Sequence, residues 1–324
     1  TRYVIYISYM TNTSNKILIV GHHWTFDINH PLCKLLTRNG FDVTITEKLH
    51  TLYNRIDITD DMCQNYDIIV VSPYFESINL SNDLLNKCIL FINEPIHKYN
   101  RIMFDMYTNN KCRLSLGCVP NNINNIKFPY YMEWGINIQK ILDSNDYIKN
   151  ITYDDFIKKK FASLISRHDK GNTRKNILTH MSQFGTIVCP SKFTNNFSNE
   201  EFEKIGRDIF QKQFIFSICP ENFIIELDGY ITEKLWMACY CGNIPIYYGK
   251  LDEYDKKIFN VNRIIQFDPT SRKSIKDASM FVKDLMTDKN KLFEFYKQPP
   301  LCDTAIDTIQ FLENEAIRKI QEFK

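Results

Sequence analysis

The chain has 324 residues, more than a single core usually organises, so two packed units are expected. Its 40 Lys and Arg almost cancel 38 Asp and Glu, leaving a net charge of +2. A field that small holds neither nucleic acid nor an acidic membrane, so cations for an anionic ligand must be sought residue by residue.

The ten cysteines are scattered, with no Cys-x-x-Cys pair and no His placed to complete a tetrahedral zinc pattern, so no structural metal is expected. Read as buried reduced thiols they favour a reducing compartment, the cytoplasm. Four Asn-x-Ser/Thr sequons, at Asn12, Asn79, Asn150 and Asn196, would matter instead in a secreted protein. No apolar run reaches the roughly 18 to 20 residues that span a bilayer. The chain opens at Thr1 and not Met, and an upstream signal or anchor would place it in the secretory pathway or Golgi lumen.

Along the chain, Lys-Ile-Leu-Ile-Val at Lys16 to Val20 ends at Gly21 and leads into a segment able to form a helix through Leu36, the opening of a βα unit. Short apolar runs recur at Phe41 to Ile45, Tyr66 to Val71 and Cys88 to Ile92. A second set follows at Phe161 to Ile165, Thr186 to Cys189, Phe214 to Ile218, Ile244 to Tyr248 and Arg263 to Phe267. Such alternation with polar or helical stretches implies an α/β protein of two Rossmann-like halves, each a parallel sheet covered by helices. The polar stretch Ile136 to Asp155 separates the two sets and predicts domains over 1–145 and 146–300. From Asp303, apolar Ile306, Ile309, Leu312, Ala316, Ile320 and Phe323 recur every three or four residues, so 301–324 is predicted to be an amphipathic helix.

Open α/β sheets bind ligands beyond the carboxyl ends of their strands, so the cleft between the halves is the expected site. Gly229-Tyr-Ile-Thr-Glu-Lys234 opens a helix, and a helix N-terminus with a lysine favours phosphate. The carboxylate of Glu233 suits ribose or sugar hydroxyls, a pairing that fits a nucleotide-sugar better than a bare phosphate. The alternative is a solvated helix cap. Pro220-Glu221-Asn222 follows one strand and the polar loop Ser166 to Asn172 another, with Arg174 entering the next helix, where a guanidinium can grip a diphosphate. Arg167, His168 and Lys175 compete for that role. Cys88 to Ile92 runs into Asn93-Glu94-Pro95, so Glu94 sits at a strand tip as a candidate general base or a loop-capping acid. His22, His23 and Trp24, in the loop after Gly21, can stack on or hydrogen-bond an acceptor sugar, or serve loop packing.

The ordered set Phe216-Ser-Ile-Cys-Pro-Glu-Asn222, Tyr230-Ile-Thr-Glu-Lys234 and Ile244-Pro-Ile-Tyr-Tyr-Gly249 resembles the alpha-1,3-fucosyltransferase family, glycosyltransferase family ten. Phe161-Ala-Ser-Leu-Ile-Ser166 with Arg174, and Phe91-Ile-Asn-Glu94, extend the likeness. It implies a GT-B fold with an acceptor-binding domain 1–145 and a donor-binding domain 146–300. It also implies GDP-fucose as donor substrate, no obligatory cofactor, a glycan acceptor, and inversion at the anomeric carbon. On that pattern Glu94 deprotonates the acceptor hydroxyl. Arg174 and Lys234 meet the charge on departing GDP, and Asn222, Tyr230 and Glu233 hold ribose and fucose, with Glu221 a further contact. Phe223 stands where Ser or Thr is usual, Pro220 replaces an aromatic and Pro95 an amide. A ring at Phe223 reshapes the donor pocket, so transfer from another GDP-sugar is the first alternative. A nucleotide-binding module without turnover is the second.

Overall fold

The computed structural model describes residues 15–23, 26–46, 56–169, 171–223 and 229–323. The chain divides into two compact units, one drawn from Thr1–Phe91, Ile96–Ser115 and Lys319–Lys324, the other from Ile92–Pro95 and Leu116–Arg318.

In the first unit β1 (Lys16–Val20), β2 (Asp42–Ile45), β3 (Ile56–Thr59), β4 (Ile68–Val71), β5 (Phe75–Asn79), β6 (Cys88–Ile92) and β7 (Leu114–Gly117) follow in chain order. The main sheet runs β2-β1-β4-β6-β7, with β1 parallel to β2 and β4, and β4 parallel to β6. Every residue of β4 and β6 is buried, which is why these strands read as unbroken apolar runs. β3 and β5 form a separate parallel pair. Because the chain leaves β1 in one direction and returns on its other side as β4, the order reverses between them. The loops after these two strands therefore flank a switch point. Gly21 turns the chain there at φ +63°, where a Cβ would lie 2.7 Å from the Ser72 carbonyl oxygen.

The second unit adds β8 (Asn125–Lys127), β9 (Lys160–Ser163), β10 (Ile187–Val188), β11 (Phe214–Ile218), β12 (Ile244–Tyr247) and β13 (Ile265–Gln266). Its five-stranded sheet runs β10-β9-β11-β12-β13, parallel throughout, with its own switch point between β9 and β11. The core gathers Phe156, Phe216, Ile244, Ile246, Val282 and Tyr296 among others, and Phe156 lies 5.0 Å from the Tyr296 ring. Buried Arg263 donates to the carbonyls of Gly242, Asn243 and Tyr296, satisfying groups left open beyond the helix Glu233–Tyr240.

The polar stretch Ile136 to Asp155 lies within the second unit. Ile136 to Asp155 contains the helix Ile138–Asn150, which Asn137 caps and whose Ile141, Ser144 and Ile148 are buried. Ser144 Oγ donates to the Cys239 carbonyl at 2.9 Å and Asn145 Nδ2 to that of Leu301. Its polarity belongs to one face of a packed helix and not to a linker. The segment before it is pinned as well, through Lys127 and Tyr131 to Asp255. The tail forms the helix Ala305–Gln321, which belongs to the second unit up to Arg318 and is no separate piece.

Candidate active site

At the switch point of the second unit, the loop after β9 carries Ser166 to Arg174 and the loop after β11 carries Cys219 to Asn222. They are held together by small contacts. Thr173 Oγ1 donates to the Glu221 carbonyl at 2.8 Å. Gly171 lies so close that a Cβ would come within 1.9 Å of the Asn222 carbonyl oxygen. Arg174, 1% exposed, directs its guanidinium into this junction, donating to His168 O at 3.2 Å, Pro220 O at 3.4 Å and Asn222 Oδ1 at 2.7 Å. Burial lowers its pKa against the opposing pull of Asp169, whose carboxylate lies 3.7 Å away. Asp169 also accepts the backbone N–H groups of Arg174 and Lys175, which fixes the start of the helix Lys175–Met181.

Glu221 is wholly buried, and its two oxygens are filled by protein. Oε1 accepts from Thr232 N at 2.8 Å and Tyr247 Oη at 3.0 Å; Oε2 accepts from Thr232 Oγ1 at 2.7 Å and Lys234 Nζ at 3.4 Å. Such a carboxylate organises the helix tip that follows it. Thr232 caps that helix through its Lys234 N–H, as the sequence suggests. Lys234 Nζ also donates to Thr232 Oγ1 at 2.8 Å. Glu233 lies 3.6 Å from Arg207 and 3.9 Å from Lys234. Burial pushes its carboxyl up, but the two cations hold it below the usual range, so it stays ionised.

The opposite charge logic governs Glu94. Although its residues lie far back in the sequence, Ile92–Pro95 belongs to this second unit. Tyr230 Oη donates to Glu94 Oε2 at 3.4 Å. Burial raises the Glu94 carboxyl to about 7; Lys234 opposes the rise, and Glu133 and Glu233 add to it. Glu94 is thus poised to exchange a proton near neutral pH, as a general base requires.

Arg174, Arg207 and Lys234 line one small cavity. Beside it opens a cavity of about 1010 Å³ whose wall includes Ser166, Asn222, Glu233, Lys234, Arg207 and Trp134. Its volume suits a nucleotide-sugar. The structure therefore brings Asn222, Glu233 and Lys234 to one wall, with Arg174 behind Asn222 and Glu221 beneath Lys234. Arg167 and His168 line the same cavity. Arg207 and Trp134 are absent from the sequence reading; neither stands in a motif, and only the fold brings them to Glu233.

His22 and His23 lie in the first unit, at its switch point. His22 Nδ1 and Nε2 meet the carbonyls of His23 and Thr46, each at 3.0 Å, and His23 sits 5.2 Å from the Tyr74 ring. Burial, then His22, lowers the His23 pKa. Trp24 lies outside the described residues, as does Asn12. Asn196, another sequon, has its amide engaged by Cys189 N and Ile187 O. Among the described residues no three His, Cys, Asp or Glu converge to hold a metal ion, and no helix is long and apolar enough to cross a membrane.

Residues 156–300 match the sequence model of the C-terminal part of glycosyltransferase family 10 (fucosyltransferase). Over 173 residues the chain is 25% identical to the alpha-(1,3)-fucosyltransferase FucT of Helicobacter pylori, an alignment covering 52% of this chain and 33% of that protein. The chain thus spans about a third of the length of that curated relative. Crystal structures of an alpha1,3-fucosyltransferase match at 14% identity. The one with GDP covers 96% of this chain and 93% of its own with a TM-score of 0.59; the one with GDP-fucose covers 96% and 94% with 0.60. At that identity the likeness establishes the fold, GT-B, with two α/β units built on parallel sheets.

Proposed function

From the match of residues 156–300 to the glycosyltransferase family 10 model, we propose an inverting transferase that moves L-fucose from GDP-fucose to a hydroxyl of an acceptor glycan, in alpha-1,3-type linkage. The observation that carries this reading is the meeting of Glu94 with the cationic helix tip. One carboxyl, titrating near 7, shares a neighbourhood with Tyr230 and Lys234. Direct displacement at a sugar carbon needs a base for the incoming hydroxyl and a cation for the leaving diphosphate on opposite faces of that carbon, and Glu94 and Lys234 are the groups proposed for the two roles.

In that reaction the acceptor oxygen forms its bond to the anomeric carbon as the bond from that carbon to the β-phosphate oxygen breaks. The acceptor proton passes to Glu94, and the electron pair leaves with GDP. Lys234, at a helix N-terminus, meets the developing charge on the diphosphate. Arg174 supports it from behind; three of its five N–H donors already hold protein acceptors, so its contribution is largely a buried positive charge and a fixed Asn222. Glu233, kept ionised by Lys234 and Arg207, accepts from ribose or fucose hydroxyls, and Tyr230 orients the base. Glu221 serves the donor by holding Lys234. His22 and His23 are further candidates for acceptor contacts.

The test is release of GDP from GDP-fucose with and without a panel of acceptor glycans, run against GDP-mannose as a competing donor. Acceptor-dependent release from GDP-fucose that Glu94→Gln abolishes supports the reading. Release from GDP-mannose alone shifts it to another GDP-sugar, and release from neither overturns it.

A further inference from the structure

The aromatic wall of the large cavity carries a second recognition element. Trp134 closes the short helix Tyr130–Glu133, its N–H bonded to the Tyr130 carbonyl at 3.1 Å. A tryptophan in a folded chain usually hides most of its ring, as Trp236 does at 1% exposure; Trp134 leaves 45% exposed and lines the cavity that Glu233 and Lys234 also line. The ring is also held in place. The Arg207 guanidinium lies over it, 5.6 Å from the ring centroid, while the same guanidinium pairs with Glu233 at 3.6 Å.

Its neighbour in sequence ties this wall to the base. Glu133 Oε2 accepts from Asn93 Nδ2 at 3.4 Å, and Asn93 adjoins Glu94. The C-terminal end of this four-residue helix thus carries both Glu133, bonded beside the candidate base, and Trp134, on the cavity wall. An exposed indole carries negative charge on its face, which attracts the weakly positive C–H edges of a pyranose and is indifferent to the hydroxyls around its rim.

We propose that Trp134, backed by Arg207, is a stacking platform for a pyranose ring of the acceptor. This rests on the transferase reading and deepens it by assigning an acceptor subsite to the second unit. The platform positions the ring whose hydroxyl faces Glu94. Its selectivity is for an apolar sugar face, while choice among hydroxyls falls to the polar groups around it.

The experiment separates sugar binding from turnover. Saturation-transfer NMR on the whole chain, with GDP present, uses methyl β-galactoside and methyl N-acetyl-β-glucosaminide as probes, and calorimetry measures GDP affinity separately. Wild-type protein is expected to transfer saturation to at least one glycoside. Trp134→Ala should lose that signal with the GDP Kd unchanged within about twofold, and Trp134→Phe should keep most of it. If the Ala variant fails to fold, the comparison of Trp134→Phe with Trp134→Leu decides, because leucine fills space without a π face. A signal unchanged in these variants, no signal in the wild type, or a GDP Kd weakened tenfold by the Ala change would overturn the platform, the last by placing the nucleobase on the indole. An absence of fucosyl transfer with glycoside binding intact would instead count against the proposed reaction.

Discussion

The ammonium of Lys234 lies 3.4 Å from Glu221 Oε2 and 2.8 Å from Thr232 Oγ1, so the cation at the helix tip is aimed by a carboxylate that no solvent reaches. If Glu221 acts on the donor through Lys234, the two residues form one unit and their substitutions will not add. Glu221→Gln keeps the shape but confronts four donors with an amide, and is expected to cost about 1–3 kcal/mol of stability. It should also weaken GDP binding about tenfold, or ~1.4 kcal/mol. In a Lys234→Met background the same change should leave GDP affinity nearly unaltered. Tyr247→Phe removes another of the hydrogen bonds to Glu221 without touching Lys234, and should lower stability while sparing affinity. Calorimetric Kd values across this set check the coupling; strict additivity would show that Glu221 meets the ligand by itself.

Glu94 sets the pH dependence. A base must be ionised to accept a proton, so kcat/KM should rise about tenfold per pH unit below about 7 and level off above it. The sign for stability is opposite. Because the folded carboxyl holds its proton to higher pH than the ordinary 4.5, the unfolded chain releases protons first, and its Glu94 contribution destabilises the fold progressively from pH 4.5 to 7. Glu94→Gln should therefore abolish transfer, retain GDP binding, and flatten that part of the stability profile. Rate profiles and urea melts between pH 5 and 8 read both; a variant with normal turnover would remove Glu94 from the mechanism.

Much of this arrangement was legible in the chain, and the parts that were not share a cause. The runs at β1, β4, β6, β11 and β12 are apolar and buried because parallel strands inside a sheet are covered on both faces. β3 and β5, Ile-Asp-Ile-Thr and Phe-Glu-Ser-Ile-Asn, mix polar and apolar residues, β7 is Leu-Ser-Leu-Gly, and β8 has only three residues, too little pattern to separate from loop. The helix Ile138–Asn150 reads as a polar stretch because its exposed face carries Gln139, Asp143, Asp146 and Lys149. At the site, Asn222, Glu233 and Lys234 announce themselves by order and spacing at strand and helix ends. Arg207 and Trp134 do not, since their meaning comes from a salt bridge and a ring contact that no local spacing encodes. Glu221 was visible as an acid at a strand end, but whether its oxygens face ligand or protein depends on Tyr247, a strand away.

Arg174 offers a separate test of the donor side. A lysine there keeps the charge but cannot span His168 O, Pro220 O and Asn222 Oδ1 at once, so Arg174→Lys is expected to lose about 1–3 kcal/mol of stability. With Asn222 released, GDP protection should shrink. At about a hundred times its Kd a ligand that binds only the native state adds ~2.7 kcal/mol, and the variant should need a higher GDP concentration for the same rise in Tm. Melting curves across a GDP titration check it; an unchanged dependence would restrict Arg174 to folding.

The second unit's stability depends on an ion cluster remote from the chemistry. Lys127, with no exposed surface, places Nζ 2.8 Å from Asp252 and 3.1 Å from Asp255, and Tyr131 Oη donates to Asp255 at 2.9 Å. Burial alone would lower the lysine's pKa, but the two carboxylates overcome it and raise it. Asp255 is pushed to about 6, chiefly by burial, with Asp252 adding to the rise against the pull of Lys127. Removing the cation leaves two carboxylates facing each other in an apolar setting. Lys127→Met should therefore cost about 3–5 kcal/mol at pH 7. Without Lys127 the Asp255 carboxyl takes up its proton above about 6, which relieves that repulsion, so the deficit should shrink as the pH falls from 7 toward 6. The double variant Lys127→Met with Asp255→Asn should recover part of the loss at pH 7, because it removes a charge left without its partner. Urea melts of the three proteins at pH 5 and 7 decide the matter, and an equal deficit at both values would show that lost packing, not charge, carries the cost.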